Sequence, residues 1–134
     1  PAVSYPVAIV EVTDGATIIV LTEQKNSPRG KERVTVRLYG IDFPDIRQPF
    51  GREAADFVRK AALHGDAEIM AVPLGKDKSG RVVATVETAG RPLQELLLKA
   101  GLARVSPACK RPECADWKHV EQEAKAAEAG WWKK

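Results

Sequence analysis

The feature that most constrains the fold of this chain is a series of short β-branched runs separated by turn residues. Residues 7–13 and 17–22 are two such runs, and they flank Asp14-Gly15, a dipeptide typical of tight hairpin turns. Residues 33–41 then alternate apolar and polar side chains, which is the period of a strand with one buried face. The first third of the chain therefore predicts a β-hairpin followed by a third strand.

The rest of the chain alternates between helical and strand patterns. Apolar residues recur at helical spacing in three segments, which are residues 50–61, 93–100 and 117–131. Two further strands are predicted at residues 67–72 and 82–87, and Asp116 is predicted as the N-cap of the third helix. Five strands and three helices predict an α+β, mainly β fold: a five-stranded Greek-key barrel of OB type with three packed helices.

Length and composition set limits on what the chain can be. Its 134 residues are 44% hydrophobic and 29% charged, which predicts a single domain over residues 1–134. No apolar run approaches the roughly 18 residues that a membrane span needs, so we expect no membrane partner. The sequence does not encode an oligomeric state, and a monomer is the default expectation. The net charge of +3 permits a polyanionic partner without requiring one.

Cys109 and Cys114 are the two cysteines of the chain, and they lie close together in a proline-containing segment. This spacing favours a local disulfide in an oxidising compartment, while free thiols and metal ligation stay open as alternatives. The sequence starts at Pro1 rather than Met, as expected of a processed chain. The two features together predict a secreted or periplasmic protein.

Residues 37–45 bring an arginine and two carboxylates together at the end of a strand that Pro44 interrupts. A guanidinium offers a planar fork of donors that fits a phosphate, and carboxylates can hold a hard cation such as Ca²⁺ or take a proton from water. These are the parts of a phosphodiester-cleaving site. Taken singly, however, Arg37 fits an outward-facing strand residue, and Asp42 and Asp45 fit ordinary turn residues.

Residues 37–45 resemble the staphylococcal nuclease (thermonuclease) family, and so do five further segments, in order over nearly the whole chain. They are the hairpin around Asp14-Gly15-Ala16-Thr17, residues 48–54, residues 77–86 with Asp77-Lys-Ser-Gly80-Arg81, residues 93–105 and residues 121–132. The resemblance implies the barrel fold and a divalent-metal site that cleaves phosphodiester bonds of DNA or RNA. Single strands are favoured as substrate because the groove of an OB-type barrel tracks an unpaired backbone.

Residue by residue, the resemblance also implies a site. Arg37 and Arg81 match the arginines that hold the phosphate, and Asp45 matches the residue assigned as general base. Asp42 and the backbone carbonyl of Phe43 match two of the Ca²⁺ ligands.

Two positions depart from the family pattern. Ala16 stands where the family has a second calcium aspartate, and alanine cannot ligate a metal. Asp45 stands where the family has glutamate, and a misplacement of about 1 Å can cost roughly a hundredfold in rate. We therefore expect weakened Ca²⁺ binding, since affinity follows the number of charged ligands, and reduced activity. The alternatives are an inactive module on the same fold that binds nucleic acid, nucleotides or a protein, and a structural protein with no phosphate ligand.

Overall fold

The computed structural model describes residues 5–13, 17–23, 31–43, 47–63 and 69–133. In chain order the elements are β1 (Tyr5–Val12), β2 (Thr17–Glu23), β3 (Lys31–Leu38), β4 (Ile41–Asp42), α1 (Gly51–Leu63), β5 (Ile69–Lys76), β6 (Val82–Thr88), β7 (Arg91–Pro92), α2 (Leu93–Lys99), β8 (Arg104–Val105) and α3 (Glu113–Ala126), followed by a 3₁₀ turn at Gly130–Trp132. In these ranges, none of the helices has the length and apolar character that crossing a bilayer requires.

The five long strands form a closed barrel. β1 pairs antiparallel with β2 and β5, β2 pairs with β3, and β5 pairs with β6. A short parallel pairing closes the barrel, with Val36 to Leu38 of β3 alongside Val82 to Ala84 of β6. The predicted five-stranded, mainly β barrel with three helices is therefore confirmed.

The core lies between the inner face of the barrel and the helices. Val20, Val36 and Leu38 point inward from β2 and β3 and are fully buried. Val58 of α1 and Leu97 of α2 belong to the same buried cluster. The period of two in the strands and the helical period in α1 and α2 supply the apolar faces that this arrangement needs.

The predicted ends of three elements are wrong. β5 runs to Lys76 rather than ending at Val72. β3 stops at Leu38, because Gly40 (φ +80°) turns the chain and Ile41–Asp42 starts the separate strand β4. α3 begins at Glu113, so Asp116 lies in its first turn and is not its N-cap. The helix ends at Ala126, because Glu128 has a left-handed φ of +53°, which a helix cannot accommodate, and Trp131 therefore lies in the 3₁₀ turn.

Cys109 and Cys114 form a disulfide, as the spacing favoured, and both residues are buried. The bond packs directly against the turn between β3 and β4. A Cβ atom on Gly40 would lie 2.7 Å from the Sγ atom of Cys109 and 2.9 Å from a ring carbon of Trp117. The turn can approach the disulfide this closely only because position 40 has no side chain.

We expect Gly40→Ala to lower the free energy of unfolding by about 2 to 5 kcal/mol, because it adds left-handed strain to overpacking. Gly90 is a matched control, since its φ is +79° and a Cβ there meets nothing within 4 Å. Gly90→Ala should therefore cost only the strain, about 1 to 2 kcal/mol. Urea unfolding of both variants measures the difference, and equal losses would contradict the close packing at Gly40.

Candidate functional site

Two arginines from distant parts of the sequence meet at one end of the barrel. The register of β2 and β3 places Thr17 opposite Arg37. Arg81, which directly precedes β6, donates a hydrogen bond from Nη1 to Oγ1 of Thr17 (3.3 Å). The parallel closure also aligns Arg37 with Val83, two residues after Arg81. Thr17 therefore lies beside Arg37 in the sheet and accepts a hydrogen bond from Arg81.

Arg37 also contacts the strand that follows its own turn. Its Nη1 donates to the carbonyl oxygen of Ile41 (3.1 Å) and its Nη2 to Oδ1 of Asp42 (2.8 Å). The Arg37 side chain is 27% exposed and that of Asp42 is 51% exposed, so both are accessible to a ligand. These bonds use two of the five N–H groups of a guanidinium, and the ion pair occupies one carboxylate oxygen of Asp42. The pair can therefore offer donors to a phosphate and an oxygen to a cation at the same time.

Arg81 is positioned by the turn that precedes it. Its Nε donates to Oδ2 of Asp77 (2.8 Å), and its backbone N–H donates to Oδ1 (3.0 Å). The backbone N–H of Ser79 also donates to Oδ1 (2.9 Å), and the Asp77 N–H donates to the Arg81 carbonyl (2.9 Å). One carboxylate therefore fixes both the turn and the direction of the Arg81 guanidinium.

Burial alone would raise the pKa of Asp77, but the hydrogen bonds from the Arg81 backbone and side chain, the Arg81 charge and the Ser79 amide outweigh it. The pKa of Asp77 therefore lies below its usual value.

Because the folded pKa of Asp77 is depressed, its stabilising effect is present above about pH 4 and is lost as pH falls through the folded value. We expect Asp77→Asn to destabilise the protein at neutral pH and to have a smaller effect in acid. Urea midpoints of wild type and variant at about pH 7 and pH 3 test this sign. Asp56→Asn is the control, because Asp56 belongs to an exposed ion pair with Arg59 and should change little. A penalty for Asp77→Asn that is equal at both pH values would contradict the assignment.

The short strand β4, which carries Asp42, is held in place by pairing with β8. β4 and β8 pair so that Asp42 lies opposite Arg104 and Ile41 opposite Val105. The Val105 N–H donates to a carboxylate oxygen of Glu121 on α3 (2.6 Å), and the Arg104 guanidinium lies 3.8 Å above the Trp131 ring. These contacts connect the C-terminal part of the chain to the end of the barrel where the arginines lie.

The turn between Arg37 and Asp42 is held by the segment that contains the disulfide. The Ser106 N–H donates to the Gly40 carbonyl (2.8 Å), and the Lys110 N–H donates to the hydroxyl of Tyr39 (2.8 Å). Together with the contact between Cys109 and Gly40, these bonds fix the backbone that spaces Arg37 from Asp42. We expect this rigidity to matter, because a site mounted on fixed backbone keeps its geometry.

The structure thus places Arg37, Asp42 and Arg81 at one end of the barrel, with Phe43 directly after Asp42. The Phe43 side chain is buried, which anchors the backbone whose carbonyl is the candidate ligand. Asp45 and Ala16 lie outside the described residues.

Within the described ranges, no group of three or more His, Cys, Asp or Glu residues is arranged to hold a metal ion. A cation at Asp42 would therefore need backbone oxygen, water or substrate oxygen to complete its shell, which hard cations accept.

Two residues of the site were not predicted from sequence. Thr17, opposite Arg37 in the sheet, accepts a hydrogen bond from Arg81, and Asp77 orients Arg81. The signal for Asp77 was present, because an aspartate two residues before Ser-Gly commonly accepts hydrogen bonds from the backbone of its own turn. Thr17 carried no such signal, since its contact with Arg81 spans 64 positions of sequence.

The class of protein is defined by the fold, a closed, mainly β barrel of five long strands with three helices. Residues 35–134 match the sequence model of staphylococcal nuclease homologues, and the chain belongs to the staphylococcal nuclease family. The matched range includes Arg37, Asp42 and Arg81, and it begins after Ala16.

Individual relatives agree with this assignment. The thermonuclease of Staphylococcus hyicus is 31% identical over 126 residues, which cover 90% of this chain and 69% of that protein. Endonuclease YncB of Bacillus subtilis is 31% identical over 140 residues, covering 96% of this chain and 62% of the relative. The probable staphylococcal-like nuclease CAN3 of Oryza sativa subsp. japonica is 37% identical over 98 residues, covering 72% of this chain. The chain spans only 25% to 32% of the length of several plant relatives that it matches.

Proposed function

We propose that this protein hydrolyses phosphodiester bonds of DNA or RNA, with activity below the family standard. The observation that carries the proposal is that Arg37, which is paired with the exposed carboxylate of Asp42, lies opposite Thr17, the residue to which Arg81 donates a hydrogen bond. Guanidinium groups held in this way bind a phosphate and stabilise the charge that develops on it in the transition state. Asp45 would orient or deprotonate the attacking water, in a role that its shorter side chain performs less well than glutamate.

The proposed site also has a place for a divalent ion, Ca²⁺ by family resemblance. Asp42 and the Phe43 carbonyl would hold it, and when bound it supplies Lewis-acid polarisation of the phosphoryl oxygen. The donor set fits a weakly held cation, because one oxygen of Asp42 is already shared with Arg37 and Ala16 adds no ligand. We therefore expect Ca²⁺ to bind chiefly with substrate present, when phosphate oxygens complete the shell.

Several finer points belong to the same proposal. Single strands are the favoured substrate, because they can follow the barrel surface without a partner strand. We propose a monomer that acts in a secreted or periplasmic setting, in which a disulfide such as Cys109–Cys114 persists. The relatives include a staphylococcal-like nuclease and an endonuclease, which supports hydrolysis of nucleic acid.

The direct test incubates the protein with single-stranded DNA and with RNA, in Ca²⁺ or in EDTA, and resolves the fragments. We expect cleavage that EDTA abolishes and that Arg81→Ala removes. Arg59→Ala is the matched control, because Arg59 is an exposed arginine on α1 paired with Asp56. Cleavage that survives Arg81→Ala would come from another site or a contaminant and would contradict the proposal.

The second candidate function is binding without catalysis. It is favoured by the combination of two arginines at the site with alanine at position 16, since phosphate binding needs no metal. In that case nucleotide affinity would be the same in Ca²⁺ and EDTA and would fall steeply with salt. Retained binding with no fragments in either condition would select this candidate over the first.

A further inference from the structure

A groove of about 700 Å³ opens on the barrel surface beside Arg81. Arg33 and Thr35 of β3 line one side, and Lys76, Ser79 and Arg81 line the other. The groove therefore shares Arg81 with the candidate site but extends away from Arg37 and Asp42. No role in the site described above accounts for Arg33 or Lys76.

The groove exists because only the last part of β3 pairs with β6. The parallel ladder covers only Val36 to Leu38, whereas β3 starts at Lys31. Among the described residues, the first half of β3 pairs with β2 alone, and the groove lies between this half of β3 and the turn between β5 and β6. A strand segment that is paired on one side presents backbone donors and acceptors to a ligand.

The charge of the groove favours a polyanion. Arg33, Lys76 and Arg81 contribute three positive charges, against one negative charge from Glu32. Arg33 is 61% exposed and its ion pair with Glu11 is long, at 3.4 Å, so a phosphate can displace Glu11 at little cost. Val34 and Val82 add apolar surface, against which a base can pack.

The position of Arg33 on β3 indicates how a bound nucleic acid strand would lie on the barrel. Arg33 and Arg37 are four residues apart on one strand, so their side chains project to the same face with backbone positions about 13 Å apart. That separation is too large for both to act on one phosphate through equivalent contacts. Arg33 is instead suited to bind a different phosphate, further along the same nucleic acid strand.

We propose that this groove is a subsite for the nucleic acid strand flanking the bond at the Arg37 and Arg81 site. Arg33 and Lys76 bind flanking phosphates, and the part of β3 that does not pair with β6 contacts the bases. This inference rests on the proposed function, because it extends the same phosphate site. An extended peptide could also add to the β3 edge, but the three cations favour a polyanion.

The test compares two ligands in EDTA, where cleavage does not interfere: a single-stranded 12-nucleotide DNA and a nucleoside 3′,5′-bisphosphate. In the double variant Arg33→Ala/Lys76→Ala, we expect the 12-mer to bind roughly tenfold more weakly at low salt, and the slope of log affinity against log salt to fall by about 1.4. Affinity for the bisphosphate, which occupies only the central site, should not change. Arg59→Ala/Lys60→Ala is the control, because it also removes one arginine and one lysine, from the exposed face of α1. Arg59, like Arg33, belongs to an exposed ion pair.

Each outcome has a distinct meaning. Unchanged 12-mer affinity and salt slope in the double variant would overturn the subsite while leaving the proposed function intact, and the β3 edge would then be free for a peptide. Equal loss for both ligands would also overturn it, because the two residues would then support the central site. A 12-mer that binds through Arg33 and Lys76 but is never cleaved in Ca²⁺ would support the subsite and contradict the hydrolytic function.

Discussion

Replacing Arg37 by alanine is expected to abolish measurable nucleotide binding and to lower cleavage by about two to three orders of magnitude. The expectation follows from the role of a preorganised donor, since removing one that stabilises transition-state charge typically costs 10²- to 10³-fold in rate. Arg37 also donates to Ile41 and Asp42, so its loss removes the partner that orients the candidate metal ligand. Arg37→Lys should recover only part of the loss, because an ammonium lacks the planar fork of donors.

Calorimetric titration with a nucleoside 3′,5′-bisphosphate in EDTA measures the loss of affinity without any metal effect. Arg59→Ala serves again as the control for removal of one exposed arginine. Urea midpoints must accompany the titrations, because Arg37 also holds the turn before β4 and a destabilised variant would lose affinity for another reason. Unchanged nucleotide affinity in a folded Arg37→Ala variant would overturn the assignment of the site.

The strands of the barrel were predictable because they are long enough to show a period. β1, β2, β3, β5 and β6 each have seven or eight residues, and their apolar alternation is readable without any tertiary information. β4 and β8 have two residues each, too few to show a period, and they exist only because the chain brings them together. The end of α3 was misjudged because apolar spacing continues to Trp131 while the backbone at Glu128 is left-handed.

In the candidate site, too, contacts between residues close in sequence were predictable, whereas contacts between distant segments were not. Arg37 and Asp42 are five residues apart, so their proximity follows from one turn. Arg81 comes near them, with a hydrogen bond to Thr17 opposite Arg37, only after the barrel closes, and family resemblance was the sole sequence signal for it. The groove beside Arg81 had no sequence signal, since it depends on where the pairing of β3 with β6 stops.

Replacing Ala16 by aspartate is expected to lower the Ca²⁺ concentration needed for half-maximal cleavage by about tenfold, because calcium affinity follows the number of charged ligands. Ala16 lies outside the described residues, and it directly precedes Thr17 in the sequence. Cleavage rates across a Ca²⁺ titration measure the effect.

Ala16→Asn separates charge from shape in this experiment, because it offers a neutral oxygen of similar reach and should give a smaller gain. No gain from aspartate would count against matching Ala16 to the family's calcium ligand. A lower Ca²⁺ requirement without a faster maximal rate would place the remaining defect at Asp45, which stands where the family has glutamate. Adding Asp45→Glu to Ala16→Asp should then raise the maximal rate, because the longer side chain restores the reach of the general base.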